Sequence, residues 1–116
     1  AIADRLLRDG ATVVISSRGE ANVNDALTEL RTRHDPARVH GTVCHVGDAA
    51  SREKLIGDTM AQHGRIDVLV SNAAVNPIYG PLTATTPEAF DKIMDTNVKA
   101  SLFLALEAKK HLQRGA

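Results

Sequence analysis

Three short stretches of this 116-residue chain put ligand-capable side chains where an apolar run ends or a helix is interrupted. The first is Ser17–Arg18, at the end of Val13–Val14–Ile15–Ser16, with Asn22 about one helical turn further on. A hydroxyl, a planar guanidinium and an amide can all donate to phosphate oxygens, and the guanidinium can also stack on a base. An ordinary surface arginine after two turn-favouring serines is an equally weighted alternative. The second stretch is Ser71–Asn72–Ala73–Ala74, whose small residues allow a backbone to approach a ligand closely. Asn72 is suited to lock that loop through side-chain to backbone bonds, although a plain turn-rich loop has the same composition. The third is Asn97, a polar residue among Ile93, Val98, Leu102 and Phe103. Asparagine is a poor mid-helix residue. It marks either an exposed position or a kink whose freed carbonyl holds a water.

These residues need a scaffold. β-branched and apolar runs over 12–16, 39–46 and 66–70 read as strands that begin 27 residues apart. Helical spacing joins them: Ile2, Ala3, Leu6 and Leu7 before Gly10; Val23, Ala26, Leu27 and Leu30; Leu55, Ile56 and Met60, from a cap at Ser51 to a stop at Gly64. Gly41 reads as a weak point inside the second strand. The run over 66–70 is nearly continuously apolar, as in a strand buried on both faces. Thr86–Pro87–Glu88 is a helix start, and the helix is expected to reach about Arg114 with a bend near Asn97. Alternation at this stride predicts an α/β fold with a parallel sheet, in which ligands bind beyond the carboxyl ends of the strands.

In such a fold Ser17, Arg18 and Asn22 would meet the adenosine ribose of a dinucleotide. An acid at that strand tip would hold a free 2′-hydroxyl; none stands there. At the end of the second strand and just beyond it stand Cys44, His45, Val46, Gly47 and Asp48, beside the adenine in that arrangement. Val46 offers an apolar surface. His45 and Asp48, taken alone, read as a solvated turn, and Cys44 as a small buried hydrophobe.

Composition sets limits. Fourteen basic and fourteen acidic residues balance, which argues against nucleic-acid or membrane-surface binding driven by bulk charge. No apolar stretch is long enough to span a bilayer. One cysteine excludes an internal disulfide and fits an intracellular setting. Five histidines without ligand spacing give no expectation of a metal site.

Taken in order, "LLRDGATVVISSR", "VCHVGD", "IDVLVSNAA" and "NVKA" resemble the short-chain dehydrogenase/reductase family across essentially the whole chain. The nearest pattern is its family member 4 branch, a group of NADPH-dependent carbonyl and retinal reductases. The resemblance implies a doubly wound Rossmann-like sheet, with residues 1–116 as a partial NAD(P)-binding domain holding the second to fourth family strands. It implies that Ser17 and Arg18 grip the 2′-phosphate of NADP(H) with help from Asn22. His45 and Val46 would border the adenine, Asn72, Ala73 and Ala74 would line the cofactor, and Asn97 would be the catalytic asparagine. His45 stands where most of the family has aspartate, and Ala74 where it has glycine. The implied reaction is carbonyl reduction or alcohol oxidation on a small-molecule substrate, with homo-oligomers usual and the last helix commonly at an interface.

The family's Thr-Gly-x-x-x-Gly-x-Gly loop and Tyr-x-x-x-Lys pair do not occur in this sequence; Tyr79 has no lysine four residues on. The chain starts at Ala1 inside a helical pattern, so it is expected to be part of a longer polypeptide and inactive alone. The family strand order would leave 66–70 without either sheet neighbour. A noncatalytic product, such as a truncated isoform or a pseudogene product that pairs with a full-length subunit, is the second expectation. A methyltransferase-like Rossmann domain using S-adenosylmethionine is the weakest, since that class places an acid where Ser17 and Arg18 stand. Peroxisomal and cytoplasmic locations are both compatible with the chain.

Overall fold

The structure, a computed structural model, describes residues 1–112. It has two compact units, Ala1–His45 and Val46–Ala116.

In the first unit, helix α1 (Ile2–Arg8) stops because Gly10 takes a left-handed φ of 94°. Gly10 then donates to the Leu7 carbonyl and Ala11 to that of Leu6, which occupies two carbonyls the helix end leaves open. Strand β1 (Val13–Ser17) pairs in parallel with β2 (Val39–Val43), from Val13 opposite Val39 to Ser17 opposite Val43. The crossover is helix α2 (Glu20–Arg33). β1 therefore runs one residue later than expected. β2 stops at Val43 rather than 46 because β1 offers no further partner; the Cys44 amide donates to the Ser17 carbonyl at 2.9 Å as the ladder ends. Leu7, Leu30 and Val39 form the buried centre, with Ala3, Val13, Ile15 and Leu27 packed around them. Gly41 is a tight packing position, not the weak point its type suggested. A Cβ there would lie 2.9 Å from Val23 and 3.1 Å from Ile15 side-chain carbons. Glycine lets α2 sit directly on the sheet at that point.

In the second unit, helix α3 (Ala49–His63) is capped by Asp48 rather than Ser51. The Asp48 carboxylate accepts from the Ser51 amide at 2.7 Å, so Ser51 falls inside the first turn. Gly64, with φ 73°, ends the helix as expected.

The strand expected over 66–70 does not form among the described residues. Ile66 makes an isolated parallel bridge to Leu112, and Val68 remains 65% exposed. An apolar run becomes a strand only where flanking strands take up its backbone groups, and no ladder reaches this one.

Thr86 caps helix α4 (Pro87–Ile93), its hydroxyl accepting from the Ala89 amide, with Pro87 in the first turn. The helix passes through a π turn (Met94–Lys99) into α5 (Ala100–Lys109). Of the longer helix expected to reach Arg114, regular α-helix ends at Lys109, and 113–114 lie outside the described residues. Ala100, Leu104 and Ala108 recur four apart on the buried face of α5, which packs on α3. No helix among the described residues is long and apolar enough to cross a membrane.

Candidate functional site

Ser17, Arg18 and Asn22 gather at the carboxyl end of β1. Ser17 is the last strand residue, Arg18 is exposed, and Gly19 is the N-cap of α2. Asn22 folds back over this turn: a Cβ on Gly19 would lie 3.2 Å from its side-chain nitrogen. Glycine at 19 thus makes room for the amide beside the strand tip. Ser16, Ser17 and Asn22 line an open cavity of about 250 Å³ between α1, β1 and α2, with Asp4, Glu29 and Arg33 also in its wall. The set offers a hydroxyl, an amide and a guanidinium to an anion, on the last residue of a paired strand and the first turn of a helix. It fits a phosphate monoester on chemical grounds.

Asp4 itself is held in a charged cluster. His34 Nε2 lies 2.9 Å from one carboxylate oxygen, Arg33 reaches that oxygen at 3.1 Å, and Arg8 reaches the other at 3.1 Å. The hydrogen bond from His34 and the two arginines hold the Asp4 carboxyl below its ordinary range.

His45 closes the first unit as an exposed residue, and Val46 opens the second, half-buried. The Val46 carbonyl accepts from Arg52 Nη1 at 2.8 Å. Arg52 was not singled out from sequence. Its position three before Leu55, on the apolar stripe of α3, is the signal that would have found it.

Asn72, Ala73 and Ala74 lie in irregular, exposed chain. Ala74 needs no glycine-like geometry, since among the described residues no non-glycine has a positive φ. The loop is locked by Asn97, and Asn72 makes no such bond among the described residues. Asn97 sits in the π turn, where its Oδ1 accepts from the Val75 amide at 2.8 Å and its Nδ2 donates to the Val75 carbonyl at 2.9 Å. One side chain satisfies both backbone groups of Val75, as a strand neighbour would. One turn on, Ser71 and Ser101 hydroxyls pair at 2.9 Å, a second tie that sequence did not indicate. The interruption expected near Asn97 is thus a π turn, a feature frequent at functional sites. Among the described residues no cluster of three or more His, Cys, Asp or Glu side chains could hold a metal ion.

The parallel β1–α2–β2 unit is a Rossmann-like α/β fragment. The family model described as enoyl-(acyl carrier protein) reductase matches residues 1–116. The chain belongs to the short-chain dehydrogenase/reductase family. It is 55% identical to dehydrogenase/reductase SDR family member 4 of Oryctolagus cuniculus over 86% of its length and 38% of that protein. It is 47% identical to tropinone reductase-like 3 of Erythroxylum coca over its full length and 44% of that protein. It therefore spans well under half the length of these relatives. Among solved structures, an actinorhodin polyketide ketoreductase variant with NADPH superposes with a TM-score of 0.84 at 28% identity, covering 94% of this chain and 41% of that one. ElxO with NADP bound gives 0.85 at 27% identity over 94% and 43%.

Proposed function

We propose that residues 1–116 are the adenosine-side portion of an NADP(H)-dependent short-chain oxidoreductase that reduces carbonyls or oxidises alcohols, as a carbonyl or retinal reductase does. The observation that carries the reading is the tip of β1, where Ser17 and Asn22 line one cavity, Arg18 follows Ser17 in the chain, and none of residues 16–19 is acidic. There Arg18 pairs with the 2′-phosphate and stacks on adenine, while Ser17 and Asn22 donate to phosphate oxygens. His45 and Val46 border the adenine, and Asn72 to Ala74 follow the cofactor with their backbone. Asn97 holds Val75 and, through the π turn, frees backbone groups for the catalytic relay. The cofactor, when bound, supplies or accepts the hydride. The sequence holds no glycine loop and no Tyr-x-x-x-Lys pair, so turnover requires residues this chain does not supply.

The complete protein is a homo-oligomer in this reading. Phe90, Met94, Val98, Leu102 and Leu106 support it, each four residues from the last and each 40–55% exposed. In a plain α-helix an i+4 series drifts about 40° per step. The wider π turn offsets that drift and keeps the stripe on one side.

The test grafts residues 1–116 into the rabbit family member 4 protein in place of its matching segment. Arg18→Asp in the graft is expected to lower the NADPH-over-NADH preference in kcat/KM at least ~10-fold, the equivalent of about 1.4 kcal/mol. An unchanged ratio refutes the assignment.

A further inference from the structure

We propose that Arg52 is a positioning residue for the adenine-side loop, acting through the backbone carbonyl of Val46. The inference rests on the reading above that Val46 borders the adenine.

Arg52 is 6% exposed, a guanidinium taken almost wholly out of water. Such a group is costly to bury unless its charge and its donors are met. Its Nε donates to Glu107 Oε1 at 3.1 Å, and its guanidinium carbon lies 5.7 Å from the centre of the Phe103 ring. Both partners stand on α5. The remaining donor used, Nη1, leaves α3 altogether and goes to the Val46 carbonyl at 2.8 Å. The arginine thus spends a charge-assisted bond on a loop carbonyl that water would otherwise satisfy.

The loop is tied from its other end as well. The Asp48 carbonyl accepts from the Arg52 amide at 3.2 Å, while the Asp48 carboxylate caps the helix at Ser51. Residues 46–48 are therefore anchored to the first turn of α3 by backbone and side chain of one residue. A carbonyl with a fixed donor fixes the peptide plane that follows it and, through Cα, the direction of the Val46 side chain. Pre-ordering of this kind lowers the ordering cost of binding and leaves reactions elsewhere on the ligand untouched. Arg52 therefore acts on cofactor affinity, and Glu107 and Phe103 act by holding Arg52.

The experiment uses the graft described above, with NADPH and with reduced nicotinamide mononucleotide, which lacks the adenosine half. Arg52→Lys keeps the charge beside Glu107 but loses the planar fork that serves two acceptors. It is expected to raise KM for NADPH about fivefold or more, with kcat within about twofold and kinetics on the mononucleotide unchanged. The double variant Arg52→Met with Glu107→Met leaves no unpaired buried charge and is expected to give the same split, which covers the case in which the lysine variant fails to fold. An unaltered KM for NADPH, or equal losses with both cofactors, overturns the inference while leaving the proposed function in place. A graft with no NADPH turnover before any substitution overturns the proposed function and this inference with it.

Discussion

Residues 13–17 and 66–70 are alike in composition and unlike in structure. Val-Val-Ile-Ser-Ser becomes a strand; Ile-Asp-Val-Leu-Val, the more apolar of the two, does not. The first run has a partner 26 residues further along the chain, delivered by one helix, and five residue pairs in register, from Val13–Val39 to Ser17–Val43. The second has one bridge, Ile66 to Leu112, and leaves Val70 45% exposed. Strand propensity was equal to the task in both places. What differed was the supply of neighbours for backbone donors and acceptors. The chain beyond 70 meets this lack at Val75 with a side chain, Asn97, which satisfies both of its backbone groups, and a Ser71–Ser101 hydroxyl pair adds a further tie.

The largest effect that tests this contrast is amide exchange in the chain itself. Amides in 39–44 that belong to the β1–β2 ladder are expected to exchange at least ~100-fold more slowly than those of 67–70. Equal protection would mean that 66–70 has found a strand partner, and the contrast would fall.

Packing density sharpens the same comparison. Gly41→Ala forces a Cβ against Val23, Ile15 and Leu27 and is expected to cost about 1–3 kcal/mol in urea titrations followed by signals from residues 1–45. Gly57→Ala, in α3 with open space around it, is expected to stabilise by up to ~1 kcal/mol. A neutral Gly41→Ala would show that α2 does not press on the sheet there.

Asn97→Ala leaves two backbone groups of Val75 without their partner, each worth about 1–3 kcal/mol when buried and unmet. Loss of Val75 amide protection with 13–17 unaffected is the expected pattern, and retained protection would show that another group holds the loop.

The smallest effect is electrostatic. Asp4 has a folded-state pKa below 3.8, chiefly from its bond to His34. A depressed carboxyl stabilises the fold above its unfolded value of about 4, and that contribution is lost as pH falls through the folded pKa. His34→Ala is expected to move the Asp4 carboxyl titration upward, toward 3.8, in carbon-detected NMR. An unmoved titration would assign the shift to Arg8 and Arg33 instead.

Much of the site was legible because its parts are local. A strand tip, its two hydroxyls, the arginine beside them and the asparagine one turn on are fixed by a few consecutive residues and by one helix start. The same holds for the Thr86 cap, the Gly10 and Gly64 stops and the interruption near Asn97. Asp48 as cap was missed because Ser51 has the same local chemistry, and the choice turns on where the helix begins. Arg52 was missed because arginine type predicts exposure, and only its place on the α3 stripe spoke otherwise.

What the sequence determined by itself was the order of elements, the β1–α2–β2 unit and the family, since these follow from periodicity, turn chemistry and motifs read along the chain. The tertiary structure alone decided that 66–70 is not a strand, that Gly41 is a contact point, and that Asn97 and Arg52 reach out of their helices to the carbonyls of Val75 and Val46. Each of those depends on a partner distant in sequence, and no local pattern records whether that partner arrives.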